Sequence, residues 1–193
     1  MNASYGKFDV VAVAASAGGL KAISTILSGL PEDFPVSIVV VQHLDPKHTS
    51  QMAEILARHT SLRVNEARSG ERLERSKVYI AKPDRHLLVN PDRTLSLSFT
   101  ELVHFVRPSA DLLFESVAVV YKDRAIAVVL TGAGKDGSNG VQSIDKMGGI
   151  VIAQETAEFP GMPDSAIQTG VVDYMLPLEK IAPVLICLVK GDK

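Results

Sequence analysis

Apolar residues along the chain fall into two kinds of run, and the two kinds alternate. Short unbroken runs rich in β-branched residues occupy Phe8–Ala14, Val36–Val41, Ala125–Leu130 and Gly149–Gln154. They show no polar alternation, which suits strands covered on both faces. Between them lie stretches of helical period. Leu20, Ile23, Leu27 and Leu30 trace one helical face after the turn Ser16-Ala-Gly-Gly19, and Met52, Ile55 and Leu56 mark a second helix. Ser109 is placed to cap a third, running to Tyr121 with Leu112, Leu113, Val117 and Val120 towards the core. A fourth is expected over about 138–147, a short one around Pro163-Asp164, and a closing one over Pro177–Val189 that Pro183 must begin or kink. Pro31–Pro35 and Asp45-Pro46 break the pattern as turns, and Leu62–Glu66 and Val78–Ala81 are shorter strands. Leu87–Asn90 and Leu95–Phe99, joined by Pro91–Thr94, predict a hairpin. The alternation predicts an α/β fold: a doubly wound, mostly parallel sheet with helices on both faces and a small antiparallel hairpin.

Composition narrows the classes. The chain has 193 residues, 46% hydrophobic and 22% charged, with no repeat or linker, so a single domain over residues 1–193 is expected. A net charge of -2, scattered Lys and Arg, and no Trp leave neither a basic face nor a stacking platform for nucleic acid. The one cysteine, Cys187, lies in the apolar run Ile181–Val189 and is expected to be buried, as suits a reducing compartment. Met1–Asp9 lacks the basic and apolar regions of a signal peptide, and no apolar run has the length of a bilayer span. A cytoplasmic protein is expected, without membrane insertion.

In open α/β sheets, ligands bind beyond the carboxyl ends of the strands. The reactive side chains following the three strongest runs are Ser16, His43 and Asp136. A hydroxyl, an imidazole and a carboxylate on one sheet edge are the parts of an activated nucleophile: serine needs a base, and the base needs a carboxylate to fix its tautomer. Glycines behind Ser16 place helix-start amides near Ala17 and Gly18, suited to holding an oxyanion. Each residue also has a plain alternative. Ser16 could cap the following helix, His43 could be a polar strand end, and Asp136 could be a turn residue before Gly137. His48, His59, His86 and His104 read as solvated. No metal or cofactor is expected, because Pro46 separates His43 from His48 and Asp45 adds only one oxygen. A rival remains in Gly132-Ala-Gly134-Lys-Asp-Gly137, which fits a dinucleotide fingerprint with Glu155 ending the next strand.

Five segments, in order, resemble the catalytic domain of the chemotaxis protein-glutamate methylesterases: Val11-Ala-Val-Ala-Ala-Ser-Ala-Gly-Gly19, Val41-Gln-His43, Arg107-Pro-Ser-Ala-Asp111, Leu130-Thr-Gly-Ala-Gly-Lys-Asp-Gly137 and Gly161-Met-Pro163. The resemblance implies a doubly wound fold and hydrolysis of glutamate methyl esters on the cytoplasmic helices of chemoreceptor-like proteins, often with glutamine deamidation. It implies Ser16 as nucleophile, His43 as base and Asp136 as orienting acid. Ala17, Gly18, Ala133, Gly134, Arg107 and Met162 become candidate oxyanion or substrate-binding residues. Two positions depart from the pattern, Ala17 where Thr is usual and Ala133 where Met is usual. They are the support for a rival reading as a catalytically weakened receptor-docking module. Family members often carry an N-terminal receiver domain, whereas here only Met1–Lys7 precede the first strand. The crevice is therefore expected to be open at rest, with a separate receiver protein as the candidate regulator.

Overall fold

Among the described residues, seven parallel strands form one sheet in the order β3-β4-β2-β1-β7-β8-β9. The strands are β1 (Val10–Ala15), β2 (Ser37–Gln42), β3 (Arg63–Glu66), β4 (Lys77–Ile80), β7 (Ala125–Val129), β8 (Ile150–Gln154) and β9 (Tyr174–Leu176). A separate antiparallel pair, β5 (His86–Val89) and β6 (Leu95–Ser98), is the expected hairpin. The computed structural model describes residues 7–44 and 50–191, so expectations placed on Met1–Gly6, the Asp45-Pro46 turn and His48 lie outside the described residues.

β1 is buried at every position because both its faces are covered, and its side chains divide by strand parity. Val11, Val13 and Ala15 join one core with α1 (Gly19–Ser28), α2 (Met52–Ala57) and α6 (Leu178–Lys190). Val10, Ala12 and Ala14 join the other with the hairpin, α3 (Ala110–Tyr121), α4 (Ser138–Lys146) and α5 (Gly161–Gln168). From β1 the chain passes to β2, out to the edge strand β3 and back to β4 between them, then crosses to β7 on the other side of β1. Strand order therefore reverses between β1 and β7, the crevice where open α/β sheets hold their ligands.

Several details differ from the sequence reading. Leu20 is 39% exposed, and Ala22 and Ile26 complete the α1 face with Ile23 and Leu27. On α3, Leu112 and Val120 are only half-buried, while Phe114, Ala118 and Tyr121 pack inward with Leu113 and Val117. Cys187 is exposed: successive helical turns of α6 carry Ile181, Leu185 and Val189 inward and rotate Cys187 away. Pro183 sits inside α6 with an exposed ring. β9 has no counterpart in the sequence pattern, being three residues long with Tyr174 and Met175 exposed. No helix among the described residues is long and apolar enough to cross a membrane.

Candidate active site

The register of β1 and β2 pairs Ala15 with Gln42, so Ser16 and His43 are the next residues on adjacent strands. The backbone N–H of His43 donates to Ala15 O at 3.1 Å. On the other flank, Ser16 N–H donates to Thr131 O at 3.0 Å, tying the serine to the end of β7. A Cβ at position 132 would lie 2.7 Å from Ser16 Cβ and 2.4 Å from Met162 Sδ, so only glycine allows this approach. The residue that caps α1 is Gly18, with φ of 74°, and no side chain caps this helix start. Ser16 is therefore not held as a capping residue. Its hydroxyl makes no hydrogen bond among the described residues, which leaves it available.

His43 and Asp136 form the central pair, with Nε2 2.8 Å from Asp136 Oδ2. Asp136 is 2% exposed and accepts three further hydrogen bonds: from Ser109 Oγ at 2.8 Å, Ala110 N–H at 2.5 Å and Asp111 N–H at 3.2 Å. The last two amides open α3, whose positive end thus faces the carboxylate. Burial works to raise the Asp136 pKa. The bond from His43, then the Ala110 amide and the Ser109 hydroxyl, outweigh it and hold the carboxyl below its ordinary 3.8. A carboxyl depressed in the folded state stabilises the fold above its unfolded pKa, and that stability is lost as pH falls through the lower folded value. Thermal melts in acid should therefore show wild type losing its advantage over Asp136→Asn as pH drops below 3.8. A constant difference down to the most acid condition would contradict this.

Asp111 plays the mirror role. Its Oδ1 accepts from Asn139 N–H at 3.0 Å and Gly140 N–H at 2.8 Å, the first turn of α4, and its Oδ2 lies 3.0 Å from His104 Nε2. Asp136, just ahead of α4, thus caps α3, while Asp111, in α3, caps α4. This exchange removes the basis of the dinucleotide reading, because a fixed carboxylate already occupies the amides that would hold a pyrophosphate. Neither NAD nor NADP should bind at millimolar concentration in calorimetry, and Glu155→Gln should leave hydrolysis unchanged. Saturable micromolar binding would restore the rival.

The remaining candidates divide. Ala17 and Gly18 stand beside Ser16, and their N–H groups have no acceptor among the described residues. Exposed Ala133 and Gly134 follow Gly132 on the facing turn. Met162 is 1% exposed, its N–H donating to Gly132 O at 2.8 Å and its sulfur packing beneath that turn. Arg107 is joined to neither Ser16 nor His43. Its Nε and Nη2 bond Asp84 Oδ1 at 2.8 and 2.6 Å, and its guanidinium stacks 3.7 Å from the Phe99 ring centroid.

His59 is exposed as expected, but two other histidines are not solvated. His86 is fully buried on β5, where Nδ1 accepts from Ser109 N–H at 3.1 Å and Nε2 donates to Glu101 O at 2.9 Å. Its position on a strand, rather than in a loop, takes it inside. His104 is partly buried against Asp111. The sequence assigns no role to Ser109 as a ligand of the acid, nor to Gln42, Thr131 and Asp111, which appear there only within the segments of family resemblance. Thr131 Oγ1 donates to Ala17 O at 3.1 Å and accepts from Phe159 N–H at 3.0 Å, binding three loops of the crevice together.

Comparison with known proteins gives a consistent picture. The family profile described as CheB methylesterase matches residues 11–185. A Leptospira interrogans protein is 42% identical over 183 residues, covering 94% of this chain and 95% of its own length. A Thermotoga maritima protein named protein-glutamate methylesterase/protein-glutamine glutaminase is 40% identical over 185 residues, or 93% of this chain. A Pyrococcus horikoshii protein of the same name is 41% identical over 176 residues. The chain spans about half the length of these last two relatives, 54% and 48% respectively. The crystal structure of the Thermotoga maritima CheB methylesterase catalytic domain superposes with a TM-score of 0.91 at 40% identity, covering 94% of this chain and 99% of that one.

Proposed function

Given that the chain belongs to the CheB methylesterase family, we propose that it hydrolyses methyl esters of glutamate side chains through Ser16, releasing methanol. The observation that carries this reading is the His43–Asp136 pair, held one residue beyond the strand pairing that delivers Ser16. Nε2 of His43 is engaged by Asp136, so Nδ1 is the ring nitrogen left to serve Ser16. Ser16 Oγ adds to the ester carbonyl as its proton passes to His43 Nδ1. The tetrahedral intermediate collapses, and the imidazolium returns that proton to the departing methoxide, giving methanol and a glutamyl ester on Ser16. Water, deprotonated by His43, then hydrolyses that ester to free carboxylate and regenerated serine.

The N–H groups of Ala17 and Gly18, with those of Ala133 and Gly134 opposite, are the donors we assign to the oxyanion. Backbone amides are indifferent to the Thr and Met that the family pattern would put at 17 and 133, so neither departure removes this chemistry. Glutamine deamidation follows from the same acyl intermediate, with ammonia as leaving group.

The substrates in this reading are the methylated cytoplasmic helices of chemoreceptor-like proteins, met in the cytoplasm. A separate receiver protein is the regulator we would look for. The test combines methanol release from methylated receptor membranes with labelling by a fluorophosphonate probe. Both are expected. Labelling without methanol release would place the substrate elsewhere, and the absence of both would overturn the serine mechanism.

A further inference from the structure

The backbone ladder between β1 and β2 ends at the bond from His43 N–H to Ala15 O. One step further, where Ser16 and His43 must hold their relative positions, a side chain takes its place. The Nε2 amide of Gln42 donates to Ser16 O at 2.7 Å and to His43 O at 2.9 Å. Both hydrogens of one amide thus join the two residues whose side chains must meet. We propose that Gln42 is a positioning residue for hydrolysis, clamping the carbonyls of nucleophile and base so that Ser16 Oγ and His43 Nδ1 meet in reactive geometry.

Three features separate this from ordinary packing. Gln42 is 5% exposed, yet its Oε1 is buried with no partner among the described residues. Among the described residues only the N–H groups of the amide are engaged, and they are what it contributes. The surroundings are also shaped to it. A Cβ at position 19 would fall 2.0 Å from Gln42 Oε1 and 2.7 Å from Ala15 Cβ, so Gly19 opens α1 directly over the amide. Finally, neighbouring ties fix Ser16 to β7 through Thr131, but the bridge from Ser16 itself to His43 runs through Gln42.

The inference rests on Ser16 and His43 being nucleophile and base, and the test keeps the two apart. Gln42→Met preserves length and removes both donors, whereas Gln42→Glu preserves shape and turns carboxylate oxygens towards two carbonyls. For Gln42→Met, kcat should fall about tenfold to a hundredfold, the scale set by small misplacements of reacting groups, with KM little changed. The rate of fluorophosphonate labelling should fall in parallel, since it needs the same geometry but no particular substrate. Gln42→Glu should fall at least as far at neutral pH, and its deficit relative to wild type at the same pH should narrow in acid, where the protonated carboxyl regains one donor.

Ile181→Ala, in the core of α6, supplies a variant destabilised at a distance and should keep a near wild-type kcat. The proposal is overturned if Gln42→Met keeps kcat within about threefold of wild type. It is equally overturned if Ile181→Ala, at a comparable melting temperature, loses kcat as Gln42→Met does. Ser16→Ala, measured alongside, reports on the underlying reading: turnover retained there would remove the nucleophile itself, whatever Gln42 variants do.

Discussion

Ser16→Ala is expected to abolish methanol release and fluorophosphonate labelling together, while leaving the melting temperature close to that of wild type. The alanine keeps the backbone bonds that hold the turn, from Ser16 N–H to Thr131 O and from Gly19 N–H to Ser16 O, and removes only the hydroxyl. Stability should barely change, because Gly18 occupies the capping position and the hydroxyl makes no hydrogen bond among the described residues. A serine that capped α1 would behave differently, losing about 1 kcal/mol of stability and no chemistry. Calorimetry and labelling on the same preparation therefore separate the two roles. Labelling that survives in the variant would sink the assignment of Ser16 as nucleophile.

Asp136→Asn should lower turnover by roughly four orders of magnitude, the cost of the same exchange in the serine-protease example. The geometry here makes the loss hard to escape. Oδ2 accepts from His43 and Ala110 N–H, and Oδ1 accepts from Ser109 and Asp111 N–H. Whichever way an asparagine amide lies, its NH2 faces one of those donor pairs. If it faces His43, the imidazole loses the acceptor that fixes its tautomer. If it lies on the Oδ1 side, Asp111 N–H loses its acceptor and the hydroxyl of Ser109 must turn to accept. Thermal stability should drop as well, unlike in Ser16→Ala. A rate within about threefold of wild type would reduce Asp136 to a turn residue.

The parts legible in the sequence were those decided by local pattern. Runs such as Val10–Ala15 and Ala125–Val129 announced themselves because a central parallel strand is buried on both faces and tolerates no polar residue. Ser16, His43 and Asp136 could be picked out because each follows such a run, where topology brings side chains to one edge. What escaped notice was decided by partners distant in sequence. His86 is inside because Ser109 and Glu101 answer both its nitrogens, and neither lies in its neighbourhood along the chain. Gln42 looks like any polar strand end until Ser16 is placed across from it. Leu20 shows the limit of helical periodicity, since a face read from spacing fixes no rotation against a core not yet known, whereas the apolar run alone places Cys187 inside and the helical period turns it out. Ser109 was read correctly as the start of α3, but its stronger bond is to Asp136, at 2.8 Å, against 3.5 Å for the capping bond from Leu112 N–H.

The exchange of caps between Asp111 and Asp136 makes a closed figure of the chain between them. The two residues are 25 apart in sequence, and each carboxylate closes the start of the helix that the other residue begins or precedes. The segment is thus fastened at both ends to itself, like a strap whose buckle is the carboxylate that holds His43. Whatever loosens the buckle slackens α3 and α4, and whatever lifts either helix start deprives His43 of its partner. On this face of the molecule, chemical competence and structural order are one property, and neither can be traded for the other.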